Sequence, residues 1–243
     1  ILNGEEFHAE FQIVLPSGIT RYINADGRIY GNRMIGVNFD ITKRVMAEKK
    51  IRQLAQTDHL TGLANRNALE RFIKQEFARV EKTGSKVGCL YFDLDKFKPI
   101  NDSHGHAMGD KVLVEVAKRL QDTASKTDCV ARIGGDEFVV LVPFYTKNET
   151  TAKRSAKEIA LEIKALFTPA FHIEGLDLFM TTSIGIVLIE PNSNHTEQII
   201  RQADMAMYQT KREGLNNIRF YDHSLDIKQQ ELTSLQHDLK DAI

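Results

Sequence analysis

The sequence predicts an α/β fold in which helices flank a mixed β-sheet, with a smaller β-rich segment in front of it. From residue 58 onward, short apolar strands alternate with amphipathic helices, which is typical of a sheet covered by helices. Two of those strands, at 129–133 and 138–142, are separated by a short glycine-containing stretch and predict an antiparallel hairpin. The first forty residues differ, because they contain three strand-like runs and no helix-like run.

Composition and charge are those of an ordinary globular protein. Of the 243 residues, 42% are hydrophobic and 27% are charged, which excludes wholesale disorder and allows one or two domains. The 32 basic and 33 acidic residues leave a net charge of −1, so we expect no nucleic-acid partner, which would need a basic excess. A small phosphate-bearing ligand needs only a few local lysines. No apolar stretch approaches the ~18 residues of a membrane span.

The cysteines and the first residues indicate the cellular context. Cys89 and Cys129 lie in apolar runs, so we expect reduced core thiols in a cytoplasmic protein. The sequence starts at Ile1 without a signal-like region. We therefore expect a piece of a longer protein, and membrane tethering of the full-length protein stays open.

Residues 1–42 are expected to form half of a domain. Strands are predicted at 7–15, 20–25 and 33–39. Three short strands are marginal alone, so we expect a covering layer upstream. Good helix formers at 43–56 predict a linker helix. Its apolar positions match no clean heptad, so a solvated linker and a short dimer seam both remain open.

The rest of the chain supplies the mixed sheet and its helices. A helix is expected after Asn67, which matches a capping pair with Glu70. Leucines spaced seven residues apart predict a connecting helix over 223–243, too short for an independent coiled coil. Further helices are expected at 108–120, 150–167 and 196–212, and strands at 86–92, 129–133, 138–142, 171–173, 178–189 and 218–221.

Asp93 and Asp95 form the first candidate site, at the end of the strand predicted over 86–92. Carboxylates just past a buried strand lie at the rim of a sheet, where ligand sites tend to form. Mg²⁺ prefers one or two carboxylates together with substrate phosphates. Taken alone, this pattern fits a cation site or a solvated loop.

The hairpin turn is the second candidate site. Gly134 and Gly135 can supply the positive φ angles of a tight turn, and they let a ligand approach the backbone. Asp136 and Glu137 follow at once, and a plain turn needs no second carboxylate. The pattern therefore favours a functional site over a decorated turn.

Asn101 and Asp110 are the third candidate site, nine residues apart across a glycine-bearing loop. The edge of guanine offers two donors and two acceptors. A carboxylate such as Asp110 matches the donors, and the Asn101 amide can meet either kind of group. Capping of the next helix by Asp110 is the alternative. His104 and His106 lie close to a turn, and we do not expect them to bind a metal.

Four segments carry a resemblance to a known family. They read RIGGDEF at 132–138, DHLTGLANR at 58–66, FDLDKFKPINDSHGHAMGD at 92–110 and ADMAMYQTK at 203–211. In order and spacing, over residues 57–221, they resemble the GGDEF family of diguanylate cyclases. The resemblance implies a fold similar to the palm of nucleotidyl cyclases and polymerases. It also implies a bacterial signalling enzyme that condenses two GTP into cyclic di-GMP and two pyrophosphates, as a homodimer with Mg²⁺ or Mn²⁺.

The resemblance implies which residues would perform the chemistry. Asp93, the Leu94 carbonyl and Asp136 would hold the metal. Glu137 would be a further ligand or would help to activate the nucleophile, so Asp136 and Glu137 are the implied catalytic residues.

Nucleotide binding is implied for a second set of residues. Asn101 and Asp110 would bind guanine. Lys98 and Lys211 would neutralise the triphosphate, and the backbone around Phe97 would contact the phosphates.

The resemblance also implies how the chain is organised. Residues 1–42 resemble the C-terminal part of a PAS sensor domain, 43–56 a signalling linker helix and 57–222 a GGDEF domain. Residues 223–243 are similar to the helix that leads to an EAL phosphodiesterase domain, the expected neighbour. Asp58 and Arg66 are expected to form an ion pair, and Thr61 and Gly62 the first turn of the GGDEF domain.

Two positions depart from the family pattern. Ser125 and Asp128 match the ends of the Arg-x-x-Asp that binds inhibitory product, so we expect weak or absent product inhibition, with Lys126 leaving a little binding open. Leu215 lies where a phosphate-contacting arginine is common, which lowers the expected GTP affinity or turnover. An alternative therefore stays open: a catalytically weak GTP-binding module that regulates an attached EAL phosphodiesterase, or a purely structural dimer module.

Overall fold

The structure is a computed structural model that describes residues 5–125, 128–191, 193 and 195–223, with the backbone alone for residues 50–54. The chain divides into two compact units, residues 1–55 and 56–243.

The first unit is a three-stranded antiparallel sheet followed by a helix. The strands lie in the order β1-β2-β3, and each of the three predicted strands is present. The elements are β1 (Glu5–Val14), β2 (Thr20–Tyr30), β3 (Arg33–Asp40) and α1 (Thr42–Leu54).

Strand β2 continues past the predicted end at residue 25, through Gly27. Gly27 lies opposite Phe7 of β1 and opposite Gly36 of β3. A Cβ atom at Gly27 would lie 2.7 Å from the Ile35 carbonyl oxygen, so this glycine permits close strand approach and forms no turn. Because a glycine inside a strand weakens the sequence signal, the prediction ended the strand too early.

The second unit is a five-stranded mixed sheet covered by helices on both faces. The strands lie in the order β10-β9-β4-β6-β5, and β7 pairs with β8 as a separate hairpin. The β9–β10 pair is parallel and the other pairs of this sheet are antiparallel, which confirms the predicted mixed sheet. The elements are α2 (Arg66–Thr83), β4 (Lys86–Asp95), α3 (Phe97–His104), α4 (His106–Thr123), β5 (Cys129–Gly134), β6 (Glu137–Phe144), α5 (Glu149–Ala165), β7 (Phe171–Ile173), β8 (Leu176–Leu178), β9 (Thr181–Ile189), α6 (Thr196–Glu213) and β10 (Ile218–Phe220).

The central strand β4 is buried on both faces. Leu90 and Phe92 pack in one apolar core with α4 and α5, whereas Cys89 and Tyr91 pack in the other with α2 and α6. Cys89 and Cys129 are free and buried, as expected for core thiols. Burial raises the pKa of Cys89 to about 12 and that of Cys129 to about 11.

Helix α2 begins earlier than predicted, and the predicted capping pair is wrong. The N-cap is Asn65, whose side chain accepts a hydrogen bond from Ala68 N at 3.1 Å. Asn67 lies inside the first turn, and Glu70 forms an ion pair with Arg66 at 3.3 Å. The helix starts earlier because a β-bridge that ends at residue 64 delivers the chain directly to Asn65.

The single strand predicted over 178–189 is two strands in the structure. Glu174 and Gly175 both have positive φ angles, 51° and 80°, and turn the chain back on itself. Strand β8 therefore pairs with β7, and a new strand, β9, begins at Thr181.

Two further expectations concern helices. Apart from His223, the helix predicted over 223–243 lies outside the described residues. Among the helices that the structure describes, none is long and apolar enough to cross a bilayer.

Candidate active site

Strand β4 carries Asp93 inside the sheet ladder, and not beyond its end as predicted. The strand extends to Asp95 because its backbone pairs with β6 and β9 on both sides. Asp93 lies opposite Glu137 of β6 and opposite Ser183 of β9. The pairing therefore brings Asp93 directly beside the hairpin strand.

The two carboxylate oxygens of Asp93 have different surroundings. Oδ2 forms an ion pair with Lys211 Nζ at 2.7 Å, whereas Oδ1 is buried without a hydrogen-bond partner. Burial raises the pKa of Asp93 to about 7; Lys211 opposes this shift, and the adjacent Asp136 carboxylate adds to it. Because an unpaired buried acceptor is costly, Oδ1 is suited to bind a cation.

The donors at this edge fit a hard divalent cation. Carboxylate and carbonyl oxygens are the ligands that Mg²⁺ and Mn²⁺ prefer, and the Asp93 and Asp136 side chains interact with each other. Glu137 instead interacts with the Tyr91 hydroxyl, whose pKa is raised by burial and by this carboxylate. Within the described residues, no three His, Cys, Asp or Glu side chains group closely enough to hold a metal ion. The structure thus joins two of the three predicted acidic side chains.

The hairpin turn is held by Arg132. Gly134 pairs with Glu137, so Gly135 and Asp136 form the turn. Gly135 has a φ of 51°, but Gly134 is outside the positive-φ region because it ends a paired strand, so that part of the prediction is wrong. Arg132 donates from Nε and Nη2 to the Gly135 carbonyl oxygen at 3.0 and 2.7 Å.

The predicted ion pair between Asp58 and Arg66 is wrong. Asp58 Oδ1 pairs with Arg132 Nη1 at 2.9 Å, and the side chains are only 14% and 10% exposed. Arg66 pairs within its own helix, with Glu70. Sequence proximity favoured Arg66, but the turn after Asp58 faces strand β5, which carries Arg132.

Asp58 also organises the first turn of the second unit. Its side chain accepts hydrogen bonds from the Thr61 backbone and hydroxyl at 2.9 and 2.6 Å, and its carbonyl accepts one from Gly62 N. This confirms the predicted turn. Burial alone would raise the pKa of Asp58, but the hydrogen bonds from Thr61 and Arg132 outweigh burial and hold the pKa below 3.8.

Asn101 lies on helix α3 and not in the predicted loop, whereas Asp110 lies on α4, in the helix predicted over 108–120. They come together because Gly109 lies against Asn101: a Cβ atom at Gly109 would be 1.9 Å from Asn101 Oδ1. Asp110 belongs to the second turn of α4, whose N-cap is Gly105, so the capping alternative is wrong. An amide and a carboxylate thus share one corner of the molecule.

Helix α3 begins at Phe97, directly after β4. Its N-cap, Lys96, has a φ of 63° and makes no capping hydrogen bond through its side chain, so the first-turn N–H groups are suited to an anion. Lys98 lies exposed in that turn. Lys211 reaches the site from α6 and contacts Asp93.

Two polar residues at the site have roles that sequence reasoning missed. Asp95, a candidate cation ligand, is only 2% exposed and accepts hydrogen bonds from Thr181 Oγ1, Ser183 Oγ and Asn216 N at 2.7, 2.8 and 2.9 Å. It therefore joins strands and is not a ligand. Arg132 was also missed, although it opens the RIGGDEF segment, since its ion-pair partner Asp58 lies 74 residues away in sequence.

The two departures from the family pattern lie in different places. Ser125 N donates to Asp128 Oδ2 at 2.8 Å, and burial raises the pKa of Asp128. Residues 126 and 127 are outside the described residues. Leu215 lies 42% exposed in the connection from α6 to β10.

The chain is similar to known proteins over much of its length. It is 37% identical over 204 residues to an uncharacterized signaling protein of Caulobacter vibrioides, covering 84% of this chain and 25% of that protein. It is 33% identical over 202 residues to the bifunctional diguanylate cyclase/cyclic di-GMP phosphodiesterase MucR of Pseudomonas aeruginosa, covering 83% and 29%. The chain thus spans only 25–29% of the length of these two relatives.

The fold is also similar to that of a solved structure. The GGDEF domain of PA1120 (TpbB or YfiN) from Pseudomonas aeruginosa matches with a TM-score of 0.66 at 32% identity, covering 72% of this chain and 99% of that chain.

The family model described as "Diguanylate cyclase, GGDEF domain" matches residues 55–217. This range contains Asp93, the hairpin turn, the Asn101–Asp110 corner and Lys211. It also covers well over half of the chain. The chain therefore belongs to the GGDEF family of diguanylate cyclase domains.

Proposed function

We propose that residues 57–222 form a diguanylate cyclase domain that joins two GTP molecules into cyclic di-GMP. The observation that supports this most directly is the buried Oδ1 atom of Asp93, which has no hydrogen-bond partner and lies in a carboxylate that interacts with Asp136. Asn101 and Asp110 lie on the two helices that follow the same strand. The proposed cation site and the proposed guanine-binding corner would thus adjoin one strand end.

The reaction forms and breaks one P–O bond at each α-phosphorus. The 3′-hydroxyl of one GTP attacks the α-phosphorus of the other, pyrophosphate leaves, and the hydroxyl proton passes to a base. The reciprocal attack closes the ring and releases the second pyrophosphate. A bound Mg²⁺ or Mn²⁺ would lower the pKa of the hydroxyl and offset charge on the phosphates. Asp93, the Leu94 carbonyl and Asp136 would hold this cation, and Glu137 would be a further ligand or would help to activate the attacking hydroxyl.

The side chains around the cation site would bind the substrate. The Asp110 carboxylate would accept from the two guanine donors, and the Asn101 amide would complete the contact. Lys98 and the uncapped first turn of α3 would bind phosphate oxygens. Lys211 would exchange its ion pair with Asp93 for a phosphate.

Catalysis would require two copies of the domain. Each copy would hold one GTP, so a homodimer has to bring two reactants together, and holding them in register is a large part of the rate enhancement. We propose α1 and an upstream PAS sensor as the elements that set this register, with an EAL domain after residue 243. The full-length protein would act in the cytoplasm, with or without a membrane tether.

A GTP-binding regulatory module is the second candidate function, and Leu215 favours it. This uncharged side chain lines a pocket together with Lys96, and it stands where the family commonly has a phosphate-contacting arginine that would strengthen binding and turnover. In this alternative the domain binds GTP without cyclising it and tunes an attached phosphodiesterase.

Incubation of the chain with GTP and Mg²⁺, followed by chromatography, separates the two functions. We expect cyclic di-GMP and pyrophosphate from the wild type and none from Asp136→Ala. GTP binding without product would favour the regulatory module or a fragment that stays monomeric. A fusion to a dimerising segment separates those two cases, since it should restore product only in a monomeric cyclase.

Product inhibition is a second test of the proposed enzyme. Ser125 offers a hydroxyl where a guanidinium would be needed to hold phosphate and stack on guanine, so we expect weak or absent inhibition. A cyclic di-GMP titration that shows tight inhibition and binding near Asp128 would contradict this.

A further inference from the structure

A pocket of about 420 Å³ opens at the end of β4, on the side of β9. The hairpin turn lies on the other side of β4, next to β6, so the pocket and the proposed cation site flank one strand end. The pocket is lined by the end of α5, the residues between β8 and β9, and the connection from α6 to β10. The lining residues include Asp95, Lys96, Lys164, Leu215 and Asn216.

Asp95 makes the pocket wall rigid. Its carboxylate accepts three hydrogen bonds, which join β4 to β9 and to the backbone of Asn216. Since Asp95 is only 2% exposed, its negative charge is directed into the wall and not towards a ligand. The pocket is therefore preformed and not lined by an exposed carboxylate of this strand.

Two lysines line the pocket, and they differ in their contacts. Lys164 Nζ donates to the Asn216 carbonyl oxygen at 2.6 Å. Lys96 is exposed and, within the described part of the chain, makes no hydrogen bond or ion pair. Its backbone is held between Asp95 and the first residue of α3. Lys96 thus offers an unengaged ammonium group at a fixed position.

The neighbouring end of α6 does not supply a second unengaged cation to this pocket. Lys211 is bound to Asp93, and Leu215, which lines the pocket four residues later, is apolar and 42% exposed. An anion that reached from the cation site into this pocket would therefore meet Lys96 first.

We propose that Lys96 is a further cation for the terminal phosphates of the nucleotide, in addition to Lys98 and Lys211, and that it binds them in this pocket. The inference rests on the proposed function, because it takes the nucleotide to lie at Asp93 with its base at Asn101 and Asp110. It assigns Lys96 a part in distinguishing the triphosphate from the monophosphate.

Equilibrium titrations with 3′-deoxy-GTP and with GMP, both with Mg²⁺, test this assignment. The 3′-deoxy compound keeps the triphosphate but lacks the attacking hydroxyl, so binding is measured without turnover. We expect Lys96→Gln to weaken 3′-deoxy-GTP binding about tenfold and to leave GMP binding unchanged, since one charged contact is lost. Lys118→Gln, which removes an exposed charge from α4, is the matched control and should change neither affinity.

A second substitution tests the placement of the phosphates. Leu215→Arg puts a guanidinium into the same pocket and should restore 3′-deoxy-GTP binding in the Lys96→Gln background. Unchanged triphosphate affinity in Lys96→Gln, an equal loss for both ligands, or no recovery with Leu215→Arg would each overturn the inference. If the wild type binds neither ligand, the proposed function fails with it; wild-type binding of 3′-deoxy-GTP that Lys96→Gln leaves unchanged refutes this inference alone.

Discussion

The two units of the molecule both contain antiparallel strand pairs, yet they use polar side chains in opposite ways. In the first unit, Ala25 is the one buried side chain among the described residues, and ion pairs such as Arg28–Glu6 lie in solvent. In the second unit, Asp93 and the Asp58–Arg132 pair are largely buried, and strands and helices surround them.

This difference shows which charged side chains affect the stability or the chemistry of the protein. Exposed ion pairs are screened by solvent and contribute little to the free energy of unfolding, so those of the first unit favour solubility more than stability. A buried charge is costly unless it is paired, so each one that persists in the second unit has a structural or chemical role. One substitution tests how closely the second unit is packed, and two test the contrast between buried and exposed charges.

The largest effect is expected where α6 packs on β9. A Cβ atom at Gly185 would lie 2.1 Å from the Ala203 carbonyl oxygen and 2.3 Å from Met207 N, and both are backbone atoms. Gly185→Ala should therefore lower the free energy of unfolding by about 3 kcal/mol, as measured by urea titration. Gly134→Ala is the control, because a Cβ atom there meets nothing within 4 Å. Equal stability of the two variants would contradict close packing at Gly185.

The second effect is expected at the buried ion pair. Arg132→Met leaves Asp58 without its cation and should destabilise the fold by about 2 kcal/mol. Arg66→Met removes an ion pair from the surface of α2 and should change stability little. If the Arg66 variant were the less stable of the two, the pairing of Asp58 with Arg132 would be wrong.

The pH dependence of the same variant sharpens the test. The folded-state pKa of Asp58 is lowered, so its contribution to stability is present above the unfolded-state pKa and is lost as the pH falls through the folded value. The deficit of Arg132→Met should therefore be largest at neutral pH and shrink towards about pH 3. Urea titrations at both pH values measure this, and a deficit that is independent of pH would indicate lost packing alone.

The smallest effect is expected in the first unit. Arg28 and Glu6 form an ion pair at 2.5 Å, but their side chains are 55% and 76% exposed. Arg28→Ala should leave the thermal unfolding midpoint unchanged within error. A clear loss would show that the first sheet depends on its charges, and the contrast between the units would fail.

Much of the fold follows from local patterns. The continuous apolar run of β4 and the helical spacing in α4 predict elements that the structure confirms, because both patterns are properties of residues close in sequence. Most errors lie at boundaries, and helix α3 was missed because its residues were expected to form a loop. Asn67 and Asn65 both fit a capping pattern, and only the bridge before Asn65 decides between them.

The candidate site was predictable in its residue types and less so in its contacts. Asp136 and Glu137 were recognisable as more than turn residues because they follow two glycines between apolar strands. The partner of each carboxylate was not predictable: Asp136 interacts with Asp93, whereas Glu137 interacts with Tyr91. Ladder register and side-chain direction decide this, and neither is local.

The sequence by itself determined the family, the alternation of strands and helices, and the acidic and amide residues available at the site, because these depend on residue type and short spacing. The tertiary structure decided which of them meet. Asp58 and Arg132 are 74 residues apart, and Asp95 and Asn216 are 121 apart. Such pairs form only when strand register and helix packing bring distant segments together, and burial then determines whether a charge at that place stabilises the fold or binds a ligand.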